Sequence, residues 1–344
     1  MAIYDGVFNA LGLRDWCDAS KEDAPMSMAQ LLAQTQGGDA EANGAAFPFP
    51  SLDVLHESCA RIGQTRDLTE AIEKGFLGVR PELKSVLDPF TQPLSWMLDS
   101  ALFAFESTPW WVMIPLLVFV TWLVSRSAPV TGFVAGVLVF FGVIDHYDVA
   151  MQTLAIIFVC TTLSVVIGVP IGIGMARSNT AQRMIVPVLD LLQTLPTFVY
   201  LIPLIFLFSV TESKLYGIAI ILYAIVPVIR LTDLGIRLVD RDVIEAADAF
   251  GMTSWQKLTR VQLPLALPNV MAGVNQTIMM SLAMVVIASL VSAPGLGVLV
   301  LRGIRNLELG VGIVAGLGIV LLAVILDRVS KAALSRVDKE GRAH

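Results

Sequence analysis

Apolar residues in this chain are gathered into long unbroken runs rather than scattered at helical or strand intervals. Seven runs cover roughly residues 109–125, 130–144, 151–175, 185–209, 215–235, 270–293 and 310–327. None alternates with period two, which argues against the strands of a membrane β-barrel. A helix needs about 20 apolar residues to cross a bilayer, and the last five runs approach or exceed that length. The first two are shorter, and only residues 126–129 part them. They form either a tight hairpin or one bent helix. The pattern predicts an all-α polytopic membrane protein with about seven transmembrane helices, or six if the first two runs are one.

Residues 1–107 read differently. They mix polar and apolar positions, with short amphipathic stretches such as 68–77, a turn-rich GGDAEANGAA at 37–46, and Pro48 and Pro50 beyond it. No basic segment precedes a compact apolar core, so they do not read as a signal peptide. Residues 94–105 (LSWMLDSALFAF) carry an apolar stripe broken by Asp99, with Glu106 just beyond. They suggest an interfacial helix leading into the first span; a partly disordered acidic tail is the other reading. The predicted organisation is an acidic N-terminal tail over 1–107, an accessory hairpin over 108–147, a core over 148–328 with a polar loop at 237–268, and a C-terminal tail over 329–344.

Composition agrees. Of 344 residues, 56% are hydrophobic and 15% charged, where soluble domains carry about a quarter charged. Mean hydropathy is +0.74. The net charge of −6 is uneven, with −9 on residues 1–107 and +3 on 108–344. No basic patch stands out, so nucleic acid is not an expected partner; the lipid bilayer is. Loop cations set the orientation. With seven spans and the N-terminus outside, thirteen lysines and arginines fall on the inner side, among them Arg126, Arg177, Arg237, Lys257 and Arg328, and the external loops that follow the tail hold three, Lys214, Arg302 and Arg305. This places the polar loop and the C-terminus in the cytoplasm and the acidic tail in the periplasm. With six spans the tail moves inside and the core keeps its orientation.

The polar loop holds the most informative stretch, EAADAFGMTSWQKLTRVQLP at 245–264. Hydrocarbon would not tolerate it, so it sits in water. Asp242, three residues before Glu245, is expected to start a helix as an Asp-led capping box. Val243, Ala246, Ala247 and Phe250 give that helix a small, mostly apolar face. Gly251 is a natural stop. Thr253 and Gln256 repeat the capping-box spacing and start a second helix lined by Trp255, Leu258 and Val261. Pro264 and Pro268 are expected to break it before the next span. Two short helices joined at a glycine make a compact knob.

The spacing E-A-A, three residues, Gly, nine residues, an aliphatic residue, one residue, L-P is similar to the cytoplasmic coupling loop of permease subunits in ATP-binding-cassette importers. The segments PVLDLLQT (187–194), LPTFVYLIPLIFLF (195–208), IVPVIRLTDLGI (225–236), VQLPLALPNVMAGVNQTIMMSLAMVVIASLV (261–291) and LGIVLLAVILDR (317–328) resemble the glycine betaine/proline betaine permeases. These are the ProW-like and OpuAB-like branch of the type I importers. The match covers about residues 130–330, and MAGVNQT at 271–277 is fairly specific to the branch.

The resemblance implies a type I importer transmembrane domain in a bacterial inner membrane, a transport subunit and not an enzyme. It implies a homodimer, two copies of a cassette ATPase docked beneath it, and a separate periplasmic binding protein that delivers the solute. Glu245, Ala246, Ala247, Gly251, Leu263 and Pro264 would couple the permease to the ATPase. ATP and Mg would stay on the ATPase, with no cofactor on this chain. The cargo would be a glycine betaine or proline betaine type of compatible solute. The alternative is the same architecture importing choline, carnitine or a sulfonium analogue.

The residues themselves point to an external motor. No G-x-x-x-x-G-K-[ST] occurs; the closest look-alike, 251–258, has Gln256 for the second glycine and Leu258 for the Ser or Thr, so it cannot cradle phosphate. No fused binding protein is expected either, since 17 residues follow Asp327 and a 107-residue tail is short for a two-lobed receptor. The reading from a different class is a stand-alone ion-coupled carrier or channel. Carriers more often show buried carboxylates or broken helices, and acids and bases are scarce within the runs. Asp190 is the main exception, expected to anchor near Arg230 or Asp233.

The candidate translocation path is Gln193, Thr194 and Thr197 around Pro196, and Asn275, Gln276, Thr277 and Ser281 in another run. Polar groups in apolar helices either line water or bridge helices. Gly132/Gly136, Gly168/Gly172 and Gly312/Gly316 recur at packing spacing. Residues 294–297 (PGLG) open an external loop or short helix. Cys160 reads as packing, and Cys17 and Cys59 permit a disulfide only if the tail is outside. His56, His146 and His344 are too scattered for a metal site.

Overall fold

The computed structural model describes residues 8–13 and 65–341. The chain divides into two units, Met1–Pro81 and Glu82–His344. The first contributes a helical turn with Phe8 buried and the start of helix α1, Thr65–Ser107, where Lys74 and Glu70 pair at 2.6 Å on an exposed face. The 37–46 linker, Pro48, Pro50, Cys17, Cys59, His56 and His344 lie outside the described residues. Everything below concerns the second unit.

After α1 come α2 (Trp110–Ser125), α3 (Ala128–Val143), α4 (Tyr147–Arg177), α5 (Asn179–Thr194), α6 (Leu201–Leu207) and α7 (Ser213–Arg237). Then follow α8 (Arg241–Ala249), α9 (Ser254–Lys257), a π-turn at Leu258–Gln262, α10 (Leu263–Ala288), α11 (Leu296–Arg305) and α12 (Leu309–Gly341). The described residues contain no strand. Four helical stretches are long and apolar enough to cross a membrane: α4, α7, Ser254–Val291 and Leu309–Ser335. A fifth arises if α1 and α2 count together, although the chain bends by 115° between them.

Three of the seven runs do not fold as full spans. Helices α2 and α3 hold 16 residues each, about 24 Å at 1.5 Å per residue, short of the roughly 30 Å hydrocarbon core. They turn at Arg126, which takes left-handed angles (φ 48°), and pack together through Met113, Val134, Val137, Leu138 and Phe141. The run at 185–209 is not one helix. It splits into α5 and α6 because Leu195 is extended (φ −65°, ψ 132°), the conformation Pro196 imposes on the residue before it. Residues 195–208 are apolar apart from Thr197, which hid the break.

Helix α7 is the centre of the bundle, packed on α4 and α10. In a lipid environment apolar burial between helices gains little, so close packing does the holding. Gly168 and Gly172 of α4 let Val228 and Thr232 of α7 approach to contact distance. Gly312 instead faces Gly303 of α11, and nothing lies within 4 Å of where a side chain at Gly132, Gly136 or Gly316 would begin. The 294–297 loop leads into the short helix α11, whose Leu296 N–H donates to Thr153 Oγ1 at 2.9 Å.

Charges bracket an apolar slab. Helix α7 has none between Lys214 and Arg230, a rise of about 24 Å. At one end Lys214, 4% exposed, pairs with Asp88 and with Glu212 at 2.7 Å each. Lys84 reaches Glu212 at 3.1 Å, and Ser213 donates to Asp99. Leu94 and Leu98 cover Gly217 below them. This cluster fastens the second half of α1 to the head of α7.

Burial pushes the Glu212 carboxyl up, but hydrogen bonds from Lys214 and Lys84 and their charges outweigh it and hold the group below its ordinary value. Such a group stabilises the fold above the unfolded value and loses that contribution as pH falls through the depressed one. Acidification below the ordinary carboxylate value of about 4 is therefore expected to loosen α1 from α7. Hydrogen exchange should speed up over 84–99 while α10 stays protected; equal protection at both pH values rules this out.

Candidate coupling site

The polar loop begins where α7 ends. Asp240 caps α8, accepting the Asp242 N–H at 3.0 Å. The expected cap was Asp242; the carboxylate two residues earlier reaches the free N–H first, and Asp242 falls in the first turn, where its charge suits the helix dipole. Gly251 ends α8 with φ +72°. Its N–H donates to the Asp248 carbonyl at 2.9 Å and the Met252 N–H to the Ala247 carbonyl at 3.1 Å, the two bonds of a Schellman stop. Thr253 and Gln256 form the expected capping box: Gln256 N–H donates to Thr253 Oγ1 at 3.3 Å, and Thr253 N–H donates to Gln256 Oε1 at 2.9 Å. Lys257 Nζ pairs with Asp248 at 2.5 Å and ties α9 back to α8.

The prolines do not break the chain before the next span. Pro264 lies in the first turn of α10 and Pro268 within it, so α9, the π-turn and α10 form one continuous helix, Ser254–Val291. The π-turn supplies the wider register just ahead of Pro264, where a tight α-turn would meet its ring. The knob is thus one capped helix plus the foot of a span, and a push on α9 acts on α10 as on a rod.

Leu258, 2% exposed, seats this foot between Ile236 of α7 and Ala266 of α10, against Ile173 and Ala176 of α4. Ala247 is also buried. Glu245, Ala246, Gly251 and Pro264 are exposed and Leu263 is half-buried. Phe250 and Trp255 are 85% and 65% exposed, and Val243 is exposed too. The apolar residues assigned to the knob's helices therefore divide, with Ala247 and Leu258 inward and Val243, Ala246 and both aromatics outward. Replacing Thr253 by Ala removes the Oγ1 half of the capping box, while the backbone N–H of residue 253 can still donate to Gln256, and should cost about 1 kcal/mol. Faster hydrogen exchange confined to 253–257 is the readout; unchanged exchange counts against it.

Above the knob, polar contacts bind three helix ends into a block. Arg237 donates to Asp233 (2.7 Å), to Asn179 (2.9 Å) and to the Met175 carbonyl (2.6 Å), while Gln182 reaches Asp233 at 2.7 Å. Asp190 pairs with Arg230, so it joins α5 to α7 as an anchor.

The candidate path residues are dispersed. Gln193 and Thr194 are exposed at the end of α5, and Thr197 is half-buried in the break. Asn275 bridges helices: it donates to Asp327 at 3.3 Å and accepts from Ser330 at 2.6 Å. Ser281 accepts from Thr161 of α4 at 3.1 Å, Thr277 is buried, and Gln276 is exposed. Among the described residues no hydrogen bond joins the 193–197 group to the 275–281 group. Nor does any group of His, Cys, Asp and Glu there suit a metal. Cys160 is buried.

Residues 168–339 match the family described as "Binding-protein-dependent transport system inner membrane component". The chain is 40% identical over 264 residues to the glycine betaine/carnitine transport permease protein GbuB of Listeria monocytogenes, a span covering 75% of this chain and 93% of that one. It is 38% identical over 321 residues to the glycine betaine/proline betaine transport system permease protein ProW of Escherichia coli, covering 92% and 88%. With the glycine betaine transport system permease protein OpuAB of Bacillus subtilis the figures are 42% over 223 residues, 64% and 78%.

Proposed function

The chain belongs to the binding-protein-dependent transport system inner membrane components, and from that premise we propose that it is the permease subunit of an ATP-driven importer for glycine betaine, proline betaine and related compatible solutes. Such a subunit is a transport component and not an enzyme. It works with an ATPase and a solute-binding protein.

The observation that carries the coupling role is the knob itself. It presents Glu245, Ala246 and Gly251 to solvent with Phe250 and Trp255 beside them, while Leu258 seats its foot among three helices. A partner's backbone can approach the alanine and glycine, and its movement reaches α10 directly. The assembly proposed places two ATPase copies beneath two copies of this chain. The knob lies in the cytoplasm. Support comes from the excess of loop cations on its side. The Lys214 cluster marks the other end of α7, so the second half of α1 lies on the periplasmic face.

The conduit is passive. The ionisable group expected within a span, Asp190, is held by Arg230, and Asn275 and Ser281 serve helix bridges in one copy. Gln193, Thr194 and Gln276, exposed on the single chain, are the groups a second copy would cover or a solute would pass. Choline, carnitine or a sulfonium analogue is the second cargo reading, supported by the carnitine in the GbuB name.

Uptake into vesicles reconstituted with the chain, its ATPase and its binding protein tests this. ATP-dependent glycine betaine uptake, competed by proline betaine more strongly than by choline, is the expected outcome. Uptake without the ATPase would instead support a stand-alone carrier.

A further inference from the structure

Between the α2–α3 hairpin and the core lies a cavity of about 660 Å³, within the roughly 300–1,000 Å³ of ligand pockets. Phe105, Leu117, Leu138, Ile157, Leu322 and Val329 are among its walls. It runs at hydrocarbon depth, from the end of α1 to the charged end of α12. The walls are mostly apolar, with Thr108, Thr121, Thr161 and Thr162 as the polar exceptions, so water gains few partners there, and an unfilled gap would forfeit dispersion contacts along both faces.

The end at Val329 is marked by cations. Arg328, the next residue on α12, is exposed and stands beside Pro129, Val130 and Phe133 of α3. Asp327 feels its charge through space but makes no ion pair with it, since Lys331 (2.8 Å) and Asn275 (3.3 Å) hold that carboxylate. Arg126, at the α2–α3 turn, is exposed too. Among the described residues neither arginine makes an ion pair. Basic pockets between membrane helices on the cytoplasmic side bind anionic head groups.

We propose that this cavity is a site for a single anionic phospholipid. One acyl chain lies between the hairpin and α4, α10 and α12, and the phosphate rests between Arg126 and Arg328. The lipid completes the packing of two helices too short to span alone. The inference goes beyond the import reading and needs no transport to test it.

Native mass spectrometry of the purified full chain, exchanged into phosphatidylglycerol or phosphatidylcholine, reads it directly. One phosphatidylglycerol should survive per chain, with phosphatidylcholine held more weakly. Arg126→Gln and Arg328→Gln should each weaken phosphatidylglycerol retention about fivefold, the factor of one near-surface cation, and leave phosphatidylcholine unchanged. Leu138→Trp, which fills the cavity, should abolish retention of both, and its melting temperature should become insensitive to added phosphatidylglycerol. Should Leu138→Trp misfold, Leu117→Phe with the same melting readout replaces it. Equal retention by the filled and wild-type proteins overturns the proposal, as does a fatty acid or a second copy of the chain occupying the site in place of a phospholipid.

Discussion

Replacing Gly251 by Trp should cut ATP-driven uptake about tenfold or more while the protein still folds and inserts. Two effects combine. Gly251 sits at φ +72°, where a side chain costs about 1–2 kcal/mol, so the stop at the end of α8 is strained. The larger effect is outward. Nothing within 4 Å opposes a side chain at this position, so the indole meets no part of its own chain and stands where a docking surface must come close. Gly251→Asn separates the two, because Asn tolerates left-handed angles and adds little bulk. It should keep most uptake. Reconstituted transport and ATP hydrolysis, measured together, check this: hydrolysis should persist and uptake fall. Wild-type uptake by the Trp variant defeats the coupling role of the glycine.

The second large effect concerns assembly. Gly172→Leu should prevent α4 and α7 from packing. The first atom of any side chain there falls 2.6 Å from Thr232 Cβ and 2.7 Å from the Ile229 carbonyl oxygen. The oxygen is backbone and cannot rotate away, so the helices must part. Overpacking a core costs about 1–3 kcal/mol and occasionally more, and a whole Leu on backbone belongs at the upper end. Parting α4 from α7 also disturbs the Arg237 contact with the Met175 carbonyl. Thermal unfolding in detergent, with Gly136→Leu as the comparison, provides the check. Gly136 has open space around it and should tolerate Leu. Equal melting of the two variants removes the case for close α4–α7 contact.

Much of this was legible in the sequence because it rests on local chemistry. Long unbroken apolar runs read as membrane helices, and Gly251, Thr253 and Gln256 are stop and start signals whose meaning depends on a few neighbouring residues. What stayed hidden depends on register or on distant partners. Asp240 and Asp242 both suit a helix cap, and only the backbone angles choose between them. Pro264 and Pro268 look like breakers until a π-turn widens the helix ahead of them. The break at Leu195 sits inside a long, mostly apolar run, where the residue-before-proline rule marks it. Among the path candidates, Asn275 and Ser281 were recognisable as polar groups in apolar helices, but their partners, Asp327 and Ser330 on α12 and Thr161 on α4, lie far off in sequence.

On the proposed function, contact between the knob and a separate ATPase is the point on which transport depends. A photo-reactive amino acid at Phe250, 85% exposed beside the Schellman stop, placed in intact membranes, probes it most directly. A cross-link to the ATPase subunit should form on irradiation and fade when Ala246 is changed to Trp. A probe that reacts only with lipid, or only with proteins on the periplasmic face, means that the knob is not where work enters the bundle.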